Sequence, residues 1–113
     1  MAEHNITGSK GEDLAVRWLM DRGFEVIERN WRSGHLEVDA IASRNGRLHF
    51  FEVKCRRSGK FGYPETSISK TKLKNLMIAA EAYCNRNPGF KKVQFDVLSI
   101  TIGEKTDYFL RHS

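Results

Sequence analysis

The chain has 113 residues, and its 19 basic and 14 acidic residues give a formal net charge of +5 at pH 7. Hydrophobic residues make up 40% of it, which suits one domain, residues 1–113, with a modest core. Two cysteines exclude a disulfide framework, and neither a signal peptide nor an apolar run of roughly 18 residues is present. The sequence therefore predicts a soluble cytoplasmic protein without a membrane partner. Its basic surplus favours a polyanionic partner, although many basic domains bind none.

The first predicted element is a helix from Ser9 to Arg22, which follows a loose tail over residues 1–6 and stops at Gly23. Ser9 and Glu12 have the spacing of a capping box, in which the Glu12 carboxylate caps the helix start. Glu12 also borders the apolar stripe, so its carboxylate could instead reach a metal site; spacing alone favours the cap. The stripe consists of Leu14, Ala15, Trp18 and Leu19.

Two β-rich segments follow. Phe24 to Arg32 alternates well enough to predict a first strand, and Leu36 to Lys54 predicts a hairpin. Asn45-Gly46 is the hairpin turn, because a type I′ turn needs a positive φ at both central residues. Counting outward from the turn, where Arg44 faces Arg47, gives the register. One face carries the pairs Ser43/Leu48, Ile41/Phe50, Asp39/Glu52 and Glu37/Lys54, and the other carries Ala42/His49, Ala40/Phe51 and Val38/Val53.

The opposition of Asp39 and Glu52 is the chemical feature of this hairpin. Their Cβ atoms are predicted to lie roughly 5 Å apart in a sheet that is covered on both faces. Burying two facing carboxylates costs several kcal/mol unless a cation lies between them. Oxygen ligands suit Mg²⁺ or Mn²⁺, and Lys54 adds a second positive charge. The alternative is an exposed face on which Glu37 pairs with Lys54 and Asp39 is solvated.

Two basic segments lie beyond the hairpin. The loop that begins at Arg56 contains Arg56, Arg57 and Lys60 at the strand end that carries the carboxylates. A second helix, predicted from Ser67 or Ser69 to Asn85, has Lys70, Lys72 and Lys74 in its first turns. Basic side chains beside an acidic site suit a phosphodiester backbone, and free N–H groups at a helix start suit a phosphate. In both segments, an ordinary solvated surface is the alternative.

The chain is predicted to end with two strands, Val93 to Ile102 and Asp107 to Leu110, with Asp96 in a structural ion pair. The element order is therefore α-β-β-β-α-β-β. The hairpin requires an antiparallel pair of strands, whereas the helix between the third and fourth strands suits a parallel crossover. These connections predict an α/β fold, a mixed β-sheet with a helix on each face.

Motifs in this order resemble those of the YraN-type family of small bacterial endonuclease-like proteins, across nearly the whole chain. The resemblance implies the restriction-endonuclease-like fold of the PD-(D/E)xK superfamily, related to archaeal Holliday-junction resolvases. Asp39 followed by Glu52-Val53-Lys54 resembles the superfamily's D…(D/E)xK active site. The other matching segments are Gly11-Glu12-Asp13-Leu14-Ala15, Arg29-Asn30, Glu37-Val38-Asp39, Phe51-Glu52-Val53-Lys54, Ser67-Ile68 with Lys72, and Phe95-Asp96-Val97.

Three positions depart from the family pattern. Leu36 stands where the family often has glycine, Val38 stands where the wider motif has proline, and Gln94 stands where arginine is frequent. None of these changes removes a carboxylate or Lys54, but Gln94 cannot serve a phosphate as arginine would. The resemblance also favours a metal-site role for Glu12, because related resolvases place a helix carboxylate at the metal.

The resulting hypothesis is a Mg²⁺- or Mn²⁺-dependent nuclease that acts on nucleic acid, with DNA and branched DNA foremost. Asp39 and Glu52 would hold the metal, with the Val53 carbonyl and Glu12 as further ligands. Lys54 would orient the attacking water, with Glu37 as its ion-pair partner. The backbone-binding residues would be Arg56, Arg57, Lys60, Lys70 and Lys72. By analogy with the resolvases the protein could act as a homodimer. The alternative is a non-catalytic nucleic-acid-binding or partner-docking module on the same fold.

Overall fold

A computed structural model describes residues 2–57, 68–103 and 108–112 of the chain. This part of the chain follows the predicted order α-β-β-β-α-β-β, and none of its helices is long and apolar enough to cross a lipid bilayer. The two helices are α1 (Ala2–Asp21) and α2 (Lys70–Arg86). The strands are β1 (Glu25–Ser33), β2 (Leu36–Arg44), β3 (Arg47–Arg57), β4 (Lys92–Ile102) and β5 (Tyr108–His112).

The strands form one mixed sheet in the order β1-β2-β3-β4-β5. β1, β2 and β3 are antiparallel neighbours, β3 and β4 are parallel, and β5 is antiparallel to β4. The parallel pair is joined through α2, because a crossover between parallel strands needs a long connection. The predicted mixed sheet and the endonuclease-like fold class are thereby confirmed.

Each face of the sheet is covered by one helix, as predicted. The core on the α1 face contains Ala15 and Leu19 packed against Phe51, and the core on the α2 face contains Leu76 and Tyr83 packed against Phe50 and its neighbours. Adjacent residues Phe50 and Phe51 enter opposite cores because side chains alternate along a strand.

Helix α1 lies close to β3 at Gly11, where a Cβ atom would come within 2.7 Å of the Cys55 Sγ atom. Glycine at this position lets the start of the matched motif pack directly on the strand that carries Glu52 and Lys54. The close contact therefore fixes how α1 is placed relative to the candidate site.

Two predictions about the first helix are wrong. The helix begins at Ala2, so residues 2–6 are helical rather than a tail, and Ser9 lies inside the helix, where it cannot form the capping box with Glu12. Residues 2–8 lack an apolar stripe, so periodicity carried no signal there. An established helix nevertheless extends at low cost, because each added residue contributes a hydrogen bond.

The hairpin turn is confirmed, with a φ of 54° at Asn45 and 76° at Gly46. The predicted register is also confirmed for five pairs, from Arg44/Arg47 to Ala40/Phe51. Beyond that point the paired ladder between β2 and β3 ends, and the candidate site lies at this end.

Candidate functional site

The site is built where β2 separates from β3. After the Ala40/Phe51 pair, the Val53 N–H donates a hydrogen bond of 2.7 Å to Asp39 Oδ2 instead of to a backbone carbonyl. A side chain thus satisfies a strand N–H that would otherwise lack a partner. The predicted pairs Asp39/Glu52, Glu37/Lys54 and Val38/Val53 are not formed, because counting outward from the turn assumed an unbroken ladder.

A change of face in β2 accompanies this separation. Val38 packs in the α2-side core, whereas Ala40 packs in the α1-side core. A regular strand would keep both residues on one face, as the sequence predicted, so β2 switches faces at Asp39. In β1, Arg29 pairs with Ala40 and Trp31 with Val38, which sets Asn30 opposite Asp39. Asn30 has a φ of 51°, in the left-handed region that asparagine tolerates better than most residues.

The Asp39 carboxyl is electrostatically coupled to Glu52. Burial, and then the negative charge of Glu52, raise the pKa of Asp39 from its usual 3.8 to about 7, with Glu37 adding to the rise. The hydrogen bond from Val53 and the positive charge of Lys72 act in the opposite direction. Glu52 thus acts on Asp39 through its charge rather than as the predicted cross-strand partner, and near neutral pH Asp39 holds its negative charge weakly.

Lys72 contacts the other carboxylate. Its Nζ atom lies 3.0 Å from Glu52 Oε1. Its backbone N–H donates to the hydroxyl of Ser69, the N-cap of α2, at 3.1 Å. The side chain of Glu52 is 18% exposed and that of Lys72 is 58% exposed. The sequence predicted a phosphate contact for Lys72, but the structure places it as the counterion of Glu52.

Glu12 lies on the α1 side of the same region. Its Oε2 atom accepts a hydrogen bond of 3.0 Å from Asn30 Nδ2 and lies 4.0 Å from Arg29 Nη2. Asn30 therefore links Glu12 to the position of β1 that lies opposite Asp39. Within residues 2–57, 68–103 and 108–112, no group of three or more His, Cys, Asp or Glu side chains is arranged to hold a metal ion.

Comparison with known proteins identifies the family. The model of the family described as "Uncharacterised protein family UPF0102" matches residues 11–100. The chain belongs to the UPF0102 family. A UPF0102 protein of Phocaeicola vulgatus is 35% identical over 99% of this chain and 92% of its own. Relatives in Bacteroides thetaiotaomicron and Persephonella marina are 38% identical over 99% and 41% identical over 84% of this chain, which covers 92% and 83% of theirs.

This membership confirms the YraN-type resemblance. The matched segment contains the residues that carry the candidate site, from Glu12 on α1 to Lys72 on α2. The names of these three relatives give the UPF0102 family designation and no activity. Family membership therefore says which proteins this chain is related to. Any proposal about its chemistry has to be argued from the geometry of the site.

Lys54 lies two residues beyond Glu52 on β3, in register with Ser99 of β4. Because side chains alternate, Glu52, Lys54 and Arg56 share the face of β3 that looks toward α2. Glu37 does not pair with Lys54 as predicted: its Oε2 atom lies 3.2 Å from Arg32 Nη2. Glu37 still acts on the site, since its charge raises the pKa of Asp39.

Arg56, Arg57 and Lys70, which were also assigned to the nucleic-acid backbone, lie at the same end of the sheet. Arg56 and Arg57 belong to β3 and not to a loop, and Arg56 Nε donates to Thr101 Oγ1 at 3.5 Å. Arg57 and Lys70 are exposed, at the end of β3 and the start of α2. Lys60 lies outside the described residues. A row of cations thus leads from the carboxylates along β3.

Sequence reasoning missed two parts of this region. The first is the left-handed backbone of Asn30. The Arg29-Asn30 motif indicates a family resemblance but gives no sign of this conformation. The second is the partner of Asp96, which is His49: their Oδ2 and Nδ1 atoms are 2.7 Å apart in the buried part of the sheet. Gln94 completes this pair by donating to Asp96 Oδ1 at 2.7 Å. The predicted register offered a partial signal for this pair, because it placed His49 on the apolar face of the sheet that carries Ala40 and Phe51. A histidine on such a face needs a polar partner.

Proposed function

We propose that the protein is a metal-dependent nuclease that hydrolyses phosphodiester bonds in nucleic acid, with Asp39 and Glu52 as the metal ligands. The observation that carries the proposal is the buried Asp39 carboxyl where β2 leaves β3: its burial, and then the negative charge of Glu52, raise the pKa of Asp39 to about 7. A buried carboxyl whose ionisation is opposed by a neighbouring negative charge costs stability once it ionises. A divalent cation between the two carboxylates would turn this cost into binding free energy.

The donor set fits Mg²⁺ or Mn²⁺. Mg²⁺ is commonly bound through one or two carboxylates, retained waters and substrate phosphates, so a third acidic side chain is not required. Asp39 uses Oδ2 for the Val53 N–H, which leaves Oδ1 for a ligand. The N–H and C=O groups of one strand residue point the same way, so the Val53 carbonyl is directed to the Asp39 side and supports its proposed role as a ligand. The Lys72 ammonium group beside Glu52 shows that this carboxylate attracts a cation, although a divalent ion would have to compete with it.

The chain's own residues would divide the remaining work. The metal would lower the pKa of a bound water and would stabilise the negative charge that develops on the phosphate oxygens. Lys54, on the same face as Glu52, would orient the attacking water or add charge stabilisation. Glu12, which Asn30 holds near the Asp39 position, would complete the metal shell only after releasing that hydrogen bond.

The proposed substrate is DNA, with branched DNA as one form to test. Arg56, Arg57, Lys60, Lys70 and the net charge of +5 suit a phosphodiester backbone. Binding should therefore weaken steeply as salt is raised. Action as a homodimer is part of the proposal only through the likeness to resolvases.

A second candidate function, a non-catalytic nucleic-acid-binding or partner-docking module, is favoured by one observation. Lys72 already neutralises Glu52, so the site is partly charge-balanced without a metal. A protein that used the fold for docking alone would gain stability from this ion pair. It would have no need of Lys54 beside it.

The test is cleavage of labelled duplex, single-stranded and branched DNAs and the matching RNAs, with Mn²⁺ or with EDTA. Wild type, Glu52→Ala and the control Glu81→Ala are compared, because Glu81 is an exposed carboxylate of α2 outside the site. We expect Mn²⁺-dependent cutting that is lost in Glu52→Ala and retained in Glu81→Ala. Salt-sensitive binding without cutting would favour the docking module, and neither binding nor cutting would refute both functions.

A further inference from the structure

Lys72 joins the first turn of α2 to the candidate metal centre. Its ammonium group is 3.0 Å from Glu52, and its positive charge also lowers the pKa of Asp39. A single side chain thus balances charge at both carboxylates. A divalent ion bound by these carboxylates would have to lie where the Lys72 ammonium group now lies.

The two partners of this ion pair differ in their freedom to move. The Glu52 side chain is 18% exposed and extends from a strand that is paired with β4 along its length, whereas the Lys72 side chain is 58% exposed. The backbone of Lys72 is fixed by the Ser69 cap. Its four-carbon side chain can therefore leave Glu52 without any movement of α2.

We propose that Lys72 is a built-in counterion that occupies the metal position of the carboxylate pair and is displaced when a divalent cation binds. The inference rests on the proposed metal site, and it adds a competing cation that belongs to the chain itself. An ammonium group within ion-pair distance of Glu52 and a divalent ion on the same carboxylate would repel each other strongly. Metal binding and the Lys72–Glu52 contact should therefore oppose each other.

Removal of the ammonium group should strengthen metal binding. In wild type, a divalent ion must break the Lys72–Glu52 pair before it gains its own contacts. Lys72→Met abolishes that competition and keeps an unbranched side chain that is one atom shorter. Because the ion pair is partly exposed, we expect the dissociation constant for Mn²⁺ to fall by about fivefold. Lys72→Arg keeps the charge and should stay close to wild type.

The matched control is Lys74→Met, which removes the same charge from the same end of α2. Lys74 is exposed and lines a shallow groove with Leu73, Met77 and Glu81, on a part of α2 that the carboxylates do not share. If the effect of Lys72 is a direct exchange, Lys74→Met should change the dissociation constant by less than about twofold. An equal gain in both variants would show a general charge effect and would overturn the inference.

The experiment is calorimetric titration of the full chain with Mn²⁺, without nucleic acid, at one fixed pH, for wild type and the three variants. Tighter binding in Lys72→Met alone supports the exchange. Unchanged or weaker binding in Lys72→Met, while wild type binds Mn²⁺, overturns the exchange and leaves the proposed nuclease site standing. No Mn²⁺ binding by wild type overturns both proposals.

Thermal unfolding gives a second readout on the same four proteins. Without metal, Lys72→Met should melt below wild type, since Glu52 and Asp39 lose their counterion. With saturating Mn²⁺ the difference should close, because wild type has then also given up the Lys72–Glu52 pair and the variant gains more from the bound ion through linkage. A variant that melts below wild type by the same amount with and without Mn²⁺ would mean that Lys72 only stabilises the fold.

Discussion

Asp39 and Asp96 are both aspartates on interior strands of the sheet, and their surroundings are opposite. Asp96 is buried between His49 and Gln94, which lie at 2.7 Å from its two carboxylate oxygens. Asp39 receives one hydrogen bond, from Val53, and is set against the negative charge of Glu52. A carboxylate whose neighbours complete its hydrogen bonds stabilises a fold, whereas one placed beside a like charge is stabilised by binding a proton or a metal cation. The comparison separates the structural aspartate from the candidate functional one.

The largest expected effect comes from removing the structural member. Asp96→Ala leaves the His49 imidazole and the Gln94 amide without their buried acceptor, so the free energy of unfolding should fall by about 3 kcal/mol. Urea denaturation measures this loss. The control Asp13→Ala removes an exposed aspartate that pairs with Arg29, and it should cost at most about 0.5 kcal/mol. Equal losses in the two variants would contradict the structural role of Asp96.

Asp39 should make the stability of the metal-free protein depend on pH. Its pKa is about 7 in the folded chain and near 3.8 when unfolded, so folded Asp39 keeps a proton that the unfolded chain releases between these values. Its contribution is present below about pH 3.8 and is lost as the pH rises through 7. The loss should be roughly 2 kcal/mol, less than the full shift implies, because solvent screens part of it.

Urea denaturation of wild type and Asp39→Asn across this pH range measures that contribution. Asparagine can still accept the hydrogen bond from Val53 but cannot ionise, so its stability should lack this decline. Above pH 7, and without metal, Asp39→Asn should therefore be more stable than wild type. Parallel pH profiles for the two proteins would show that Asp39 is not destabilised by its neighbours.

Substitution of Asn30 should have a smaller effect. This residue has a left-handed backbone at the position opposite Asp39, and its side chain donates a hydrogen bond to Glu12. Asn30→Ala should lower the free energy of unfolding by about 1 kcal/mol, because alanine adopts a left-handed φ at a cost. Asn30→Gly should cost less, since glycine adopts that φ freely, although it also loses the hydrogen bond to Glu12. Chemical denaturation of both variants tests this order. Both variants lose the contact with Glu12, so a larger loss in the glycine variant would mean that the left-handed φ does not determine the stability at this position.

The fold was predictable where local rules determine it. Asn45-Gly46 set the turn, and the turn set five pairs of the β2–β3 register. The apolar stripes placed one helix on each face, and the helix before β4 required a parallel strand. The start of α1 was not predictable, because its first residues have no apolar face to signal a helix.

The interaction of Glu52 with Asp39 was predictable from the sequence, and its geometry was not. Counting from the turn brought Asp39 and Glu52 together, but it could not show that the ladder ends at Ala40 and that Asp39 accepts from the Val53 N–H. The placement of Lys72 against Glu52 depends on how α2 packs on the sheet, and that is a tertiary property with no local sequence signal. The left-handed φ of Asn30 was likewise hidden, because asparagine tolerates this conformation without requiring it.

The most direct test of the central claim is Mn²⁺ stabilisation of wild type, Asp39→Asn and Glu52→Gln, measured by the melting temperature as Mn²⁺ is raised. If Asp39 and Glu52 form a divalent metal site, wild type should gain about 2.7 kcal/mol of stability when Mn²⁺ reaches 100 times its dissociation constant. Both variants should gain far less at the same concentration. Equal stabilisation of all three proteins, or none in wild type, would contradict a metal site at this carboxylate pair.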